Sequence, residues 1–260
     1  MKPALVVLGI SSLGYLLATV GIQRQTFIQN RGDLAGWRKL LWGALALHTL
    51  GLFLFILSVG RLPIGHIEET IAPLGWVVMA LYLIFGERWR VEVVGTVAAP
   101  AAFAMTAFSA FALWGQQAQA PHNSWITVHV LSIIAGYAAF SLAAFCALLY
   151  FIQSRLLKQK KLGGVLGVLP PLETLDQVSY RLIRGGFPFM VLGIVTGLLL
   201  NHWHWDWDFQ QTLVAATGAV YTLYLHARIA GWHGRQVNMM LLVAFGCVLV
   251  SFIVPGGVHR

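Results

Sequence analysis

Apolar positions in this chain come in long blocks separated by polar connections, without the alternation of helices or strands that show one face to water. Eight blocks are nearly free of charge: Ala4 to Ile22, Leu40 to Val59, Ile71 to Phe85, Val93 to Trp114, Ile126 to Ile152, Phe187 to Leu200, Thr212 to Ala230 and Val237 to Val254. A helix needs about 20 apolar residues to cross the hydrocarbon of a bilayer. The pattern therefore predicts an all-α polytopic membrane protein, a bundle of about eight transmembrane helices. The third and sixth blocks are short, and their ends are the least defined. A different pattern follows Pro170 and Pro171. There Leu175, Val178, Leu182 and Ile183 recur at helical spacing opposite Asp176, Gln177, Arg181 and Arg184. This predicts a cationic amphipathic helix over 172–184, lying along the cytoplasmic lipid surface as an anchor.

Charge sets the orientation. Fourteen of the 17 basic residues fall in alternate connections: Arg24, Arg31, Arg38 and Lys39; Arg88 and Arg90; Arg155, Lys158, Lys160, Lys161, Arg181 and Arg184; Arg228 and Arg235. Only Lys2, Arg61 and Arg260 lie on the opposite side. Basic residues favour the cytoplasm, so both termini are expected outside. The net charge of +8 is then a topology signal and not a nucleic-acid footprint. Composition agrees, at 58% hydrophobic and 10% charged residues. No cleavage pattern ends the first apolar run, so that helix is expected to remain in the mature protein. The whole of 1–260 reads as a single integral-membrane domain, with four helices in 1–115.

Several chemistries are absent from the pattern. Cys146 and Cys247 fall inside predicted spans, and there is no C-x-x-C pair. Walker, G-x-S-x-G and H-E-x-x-H motifs are missing too, which removes ATP hydrolysis and acyl transfer. No catalytic set emerges. What the chain does offer is a dense aromatic connection, Asn201 to Gln211, where Trp203, Trp205 and Trp207 alternate with His204, Asp206 and Asp208. Indoles collect at membrane interfaces, so an interfacial belt is one reading. The other is a platform: in an extended segment the alternation puts three indoles on one face, against which a flat aromatic ligand could lie.

Histidines sort by depth. His129, at the outer end of the fifth block and about one turn from Trp125, and His259, near the C-terminus, flank the Trp connection. His48 and His226 lie deeper, roughly 12 and 6 Å from the cytoplasmic ends of their blocks at the rise of an α-helix. An ionisable residue within a span is costly and marks a site by default. Its bland alternative is a neutral histidine bonded to a neighbouring helix, and His259 could be an idle surface residue. Two imidazoles at matched depth suit a porphyrin iron, whereas zinc would want further ligands. Arg228 and Lys39 inside, and Arg61 outside, are candidate partners for the propionates.

The motifs converge on a family. Trp125-Ile-Thr-Val-His129, Tyr137-Ala-Ala-Phe140, Leu149-Tyr150, Pro170-Pro171-Leu-Glu-Thr-Leu-Asp176, Gly186-Phe-Pro188, Gly193-Ile-Val-Thr-Gly197, Tyr224-Leu-His226-Ala-Arg228 and Gly231-Trp-His-Gly-Arg235 resemble the cytochrome c assembly superfamily of membrane heme handlers. The resemblance is strong over 125–260, which becomes the assembly-like core, and reaches the first four helices only through hydropathy and His48. It implies heme b as cofactor, held by His48 and His226 in the membrane and by His129 and His259 outside. It also implies that Trp203, Trp205, Trp207 and Asp208 form a heme-presenting loop. The function implied is heme handling in cytochrome c maturation, in a bacterial inner membrane. The partners implied are lipid, heme and other maturation proteins, and the protein would be a carrier or assembly factor, not a catalyst. Where family members continue Trp-Asp-Pro-Lys-Glu, this chain has Trp207-Asp208-Phe209-Gln210-Gln211. That departure, with the lack of a large extra-membrane domain, looks like the short HemX-type branch. The branch implies an alternative, a membrane regulator of heme synthesis acting on glutamyl-tRNA reductase. A transporter or structural subunit without heme is a third.

Overall fold

The computed structural model describes residues 1–29, 33–115, 124–160, 167–205, 207 and 209–253. Among them are eight α-helices and no strand: α1 Lys2–Gln23, α2 Ala35–Val59, α3 Ile67–Phe85, α4 Gly95–Ala112, α5 Ser124–Lys158, α6 Leu172–Leu200, α7 Phe209–Ile229 and α8 Arg235–Ile253. A π-helical turn, Arg24–Ile28, extends α1, and a 3-10 turn, Glu92–Val94, leads into α4. Helices α1 to α6 are each long and apolar enough to cross a membrane; α8 is a shorter apolar helix over Arg235–Ser251. Leu17, Phe53, Leu57 and Phe111 project outward, each more than half exposed. Rows of large apolar side chains facing out suit lipid and not water. The protein is a multi-pass, all-α membrane protein.

One boundary differs from expectation. The amphipathic segment 172–184 is no separate surface helix but the first three and a half turns of α6, a single helix of 29 residues. At about 1.5 Å per residue α6 overshoots a hydrocarbon layer of about 30 Å. Gly185, Gly186 and Pro188 read as a break, yet the helix continues through them. The apolar face is as expected, with Leu175, Val178, Leu182 and Ile183 buried, but Asp176 is buried among them instead of facing water.

The chain forms two compact units. The first is Met1–Asn123 with Arg155–Pro170, in which α1 packs on α2 and α4, and α3 on α4 and α2. Small residues let these helices close up: a Cβ on Gly14 would stand 3.0 Å from the Ala44 Cβ, and one on Gly51 2.7 Å from Leu8 Cδ2. Ala98, Ala99 and Ala102 are fully buried around Pro100 in α4. At the α2–α3 connection Arg61 grips Glu69 through two nitrogens, at 2.6 and 2.8 Å, and the Gly65 N–H donates to the same carboxylate at 2.8 Å. Both side chains are buried. Arg61, expected to serve an outer propionate, is thus committed to Glu69.

The second unit is Ser124–Ser154 with Pro171–Arg260. Here α5 and α6 meet backbone to backbone, because Gly136 lies against the Gly186 carbonyl and the Met190 backbone, and Gly186 against Ala139 and Phe140. Helix α7 packs on α6 and α8.

Candidate functional site

In the first unit His48 is fully buried on α2. Its Nδ1 lies 3.3 Å from the Tyr15 hydroxyl of α1 and 3.5 Å from the Thr106 hydroxyl of α4. The Tyr15 ring stands nearly edge-on to the imidazole, centroids 5.9 Å apart. The ring also has a backbone hydrogen bond to Ala72 of α3, while Nε2 has no partner at close hydrogen-bonding geometry. Buried polar side-chain atoms are nearly always bonded at close geometry, so a buried imidazole with one weakly engaged nitrogen stands out.

In the second unit His129 is half-buried on α5, and its Nδ1 lies 2.8 Å from the Gly193 carbonyl. A carbonyl only accepts, so Nδ1 carries the proton and Nε2 the lone pair. The hydroxyl of Thr196 is 3.4 Å from Nδ1, and a Cβ on Gly197 would stand 2.9 Å from Cε1. The Gly193-Ile-Val-Thr-Gly197 stretch is therefore the wall that fixes this ring. Trp125, one turn before, is exposed.

His226 is exposed on α7. Two residues on, Arg228 is buried, and its Nη1 lies 2.5 Å from Asp176 Oδ2. The guanidinium sits 4.9 Å above the Tyr180 ring. The other carboxylate oxygen accepts from Asn238 Nδ2 at 2.6 Å and from the Gly234 N–H at 3.3 Å. Arg228 was expected to meet a propionate; its charge is instead taken by Asp176, and the network pins the α7–α8 turn to α6. Lys39, the other inner candidate, is exposed.

The Trp connection is a turn and not the extended segment the alternation suggested. The N–H groups of Asn201, His202 and Trp203 donate to the carbonyls of Gly197, Leu199 and Leu198, closing the end of α6. His202, Trp203 and Trp207 have φ of 51°, 62° and 50°, in the left-handed region that side chains other than glycine rarely adopt. The indoles consequently do not share one face by alternation. Trp203 and Trp207 are exposed; Trp205 is half-buried, its ring 5.8 Å from that of Trp207 and steeply inclined to it. Trp205 Nε1 is buried without a hydrogen-bond partner. Asp206, Asp208 and His259 lie outside the described residues.

Sequence reasoning found the histidines but missed their surroundings. Ser11 and Tyr15 were the available signal, polar residues one turn apart in the apolar run of α1. Asp176 was read as polar surface. Among the described residues, no group of three or more His, Cys, Asp or Glu side chains could hold a metal ion, so an iron here would depend on porphyrin nitrogens for its other ligands.

The cytochrome C assembly protein family model matches residues 44–257. The chain belongs to that family. The match begins in α2, so the likeness reaches further towards the N-terminus than the motifs from 125 onward suggested, and it includes the helix of His48. Relatives are named "Cytochrome c biogenesis protein CcsA". The protein from Microcystis aeruginosa is 31% identical over 254 residues, covering 76% of this chain and 77% of the relative. That from Chlamydomonas reinhardtii is 29% identical over 220 residues, covering 77% and 61%. The Synechococcus elongatus protein is 28% identical over 251 residues, covering 76% and 77%. These names refer to cytochrome c biogenesis and lend no support to the HemX-type alternative, control of glutamyl-tRNA reductase.

Proposed function

We propose that this member of the cytochrome c assembly family binds heme b in a bacterial inner membrane and handles it for cytochrome c maturation, as a carrier or assembly factor and not a catalyst. The observation that carries the reading is His48 itself, a titratable side chain fully buried in a membrane span whose Nε2 has no partner at close hydrogen-bonding geometry. An ionisable residue within a span is costly and marks a site by default, and an axial ligand keeps one lone pair for iron. In this reading His48 and His226 are membrane ligands, and His129 and His259 outer ones. The Gly193 carbonyl holds His129 as metal-ligating histidines are commonly held, through the nitrogen that does not bind metal. Trp203, Trp205 and Trp207, with Asp208, present the outer heme, and the exposed indoles of Trp203 and Trp207 are the apolar surface it would cover. The chain works as one integral-membrane domain, with four helices in 1–115 and the assembly-like core over 125–260. Other maturation proteins and membrane lipid are its partners.

Heme is the cargo, and the iron's affinity for imidazole is the chemistry it brings. Cells lacking this chain should lose covalently bound heme from their c-type cytochromes, read by peroxidase staining of denaturing gels, while b-type hemes persist in membrane spectra. Retained c-type staining would refute the proposal, and so would parallel loss of both heme types.

A further inference from the structure

The two arginines around the α7–α8 turn differ in how their charge is met. Arg228 is buried and bonded to Asp176. Arg235, the first residue of α8, is exposed, and among the described residues its guanidinium has no hydrogen-bond or ion-pair partner. It lines an open cavity of about 450 Å³ together with Trp232, Gln236, Met239 and Met240. That volume falls in the range of small-molecule sites, about 300–1,000 Å³. From the cavity an apolar face continues along α8. Met239, Val243 and Val250 are exposed, and between them a Cβ added to Gly246 would meet nothing within 4 Å. Steps of four, three and four residues keep these positions on one face of the helix, whereas Leu241, Ala244 and Val248 are buried. The rise from Met239 to Val250 is about 16 Å, close to half of a hydrocarbon layer of about 30 Å.

We propose that this cavity and the apolar face beyond it bind one anionic phospholipid, with its phosphate against Arg235 and an acyl chain along Met239, Val243, Gly246 and Val250. Charge selects the head group. An unpaired guanidinium makes charge-assisted hydrogen bonds to phosphate oxygens, and the Gln236 amide is a second donor in the same cavity. A zwitterionic lipid carries its own cation beside the phosphate, so Arg235 favours a head group with net negative charge. Trp232, an exposed indole, suits the level where head groups meet hydrocarbon. Length selects the tail, because the apolar face spans one leaflet. The α7–α8 connection is on the side that carries most of the basic residues, and basic segments next to a membrane attract the anionic lipids of the cytoplasmic leaflet. The site needs no heme; it needs only α8 in the bilayer.

Native mass spectrometry of the detergent-purified full-length chain, titrated with dioleoylphosphatidylglycerol, tests the site. One phosphatidylglycerol should bind more tightly than those that follow, and more tightly than dioleoylphosphatidylcholine. Arg235→Gln should weaken that first lipid about five- to tenfold, the loss of one cation at an anionic lipid head, while Arg235→Lys keeps most of the affinity. Lys39→Gln removes another exposed cation and should change nothing. Met239→Trp puts a larger side chain into the cavity and should weaken binding with the charge intact. Dihexanoylphosphatidylglycerol, which has the head group but not the chain length, should bind more weakly than the dioleoyl lipid. A loss in Lys39→Gln as large as in Arg235→Gln would mean attraction by net charge alone and overturns the proposal. Equal affinity for the glycerol and choline lipids overturns it as well, and so does equal affinity for the short and long chains.

Discussion

At the scale of single residues the strongest statement concerns charge. Asp176 and Arg228 are both buried, 2.5 Å apart. Removing one member of such a pair strands the other charge, which costs about 3–5 kcal/mol. Asp176→Ala should therefore lower the thermal unfolding temperature of the detergent-solubilised protein sharply, and Asp176→Ala/Arg228→Met should recover part of the loss. An unchanged melting curve for Asp176→Ala would show that the network contributes nothing to stability. None of this was legible in the chain, because the partners are 52 positions apart and Asp176 falls among charged neighbours that do face outward. His48 was legible for the opposite reason. A titratable residue in an apolar run stands out without knowledge of its neighbours, while Tyr15 and Thr106 acquire meaning only once α1, α2 and α4 are packed together.

At the scale of helices, close approach depends on small residues at particular positions and not on small residues in general. A Cβ on Gly51 would meet Leu8 side-chain atoms at 2.7 and 2.8 Å and the Leu8 backbone nitrogen at 3.3 Å, whereas one on Gly9 would meet nothing within 4 Å. Gly51→Ala should thus destabilise by about 1–3 kcal/mol, the usual cost of overpacking. Gly9→Ala should stabilise by about 0.5–1 kcal/mol, since alanine loses less backbone freedom in a helix than glycine. Unfolding in mixed detergent micelles checks both, and equal effects at the two glycines would contradict the packing described. Helix number and order could be read from hydropathy, which is a property of one segment at a time. The start of α6 could not. Gly185, Gly186 and Pro188 look like a break, but Gly186 is there to let α5 approach, with Ala139 Cβ 2.8 Å from where its own Cβ would be. The Trp turn was missed similarly: alternation suggested an extended segment, and backbone hydrogen bonds to the end of α6 decided otherwise.

At the scale of the whole molecule, the segregation of basic residues predicts both ends outside and the Trp turn on the outer face. Reporter fusions after Lys161 should be active only in the cytoplasm and after Arg260 only outside; the reverse at either point would remove the outer heme site from the account. The proposal that heme unites the family membership, the buried His48 and the exposed indoles is the claim most exposed to a single measurement. Absorption spectra of the detergent-purified protein should show a Soret band for the wild type and lose most of it in His48→Ala/His226→Ala, with the protein still folded by circular dichroism. A folded double variant that retains the full Soret absorbance, or a wild type with none after growth with ample heme, would contradict the account.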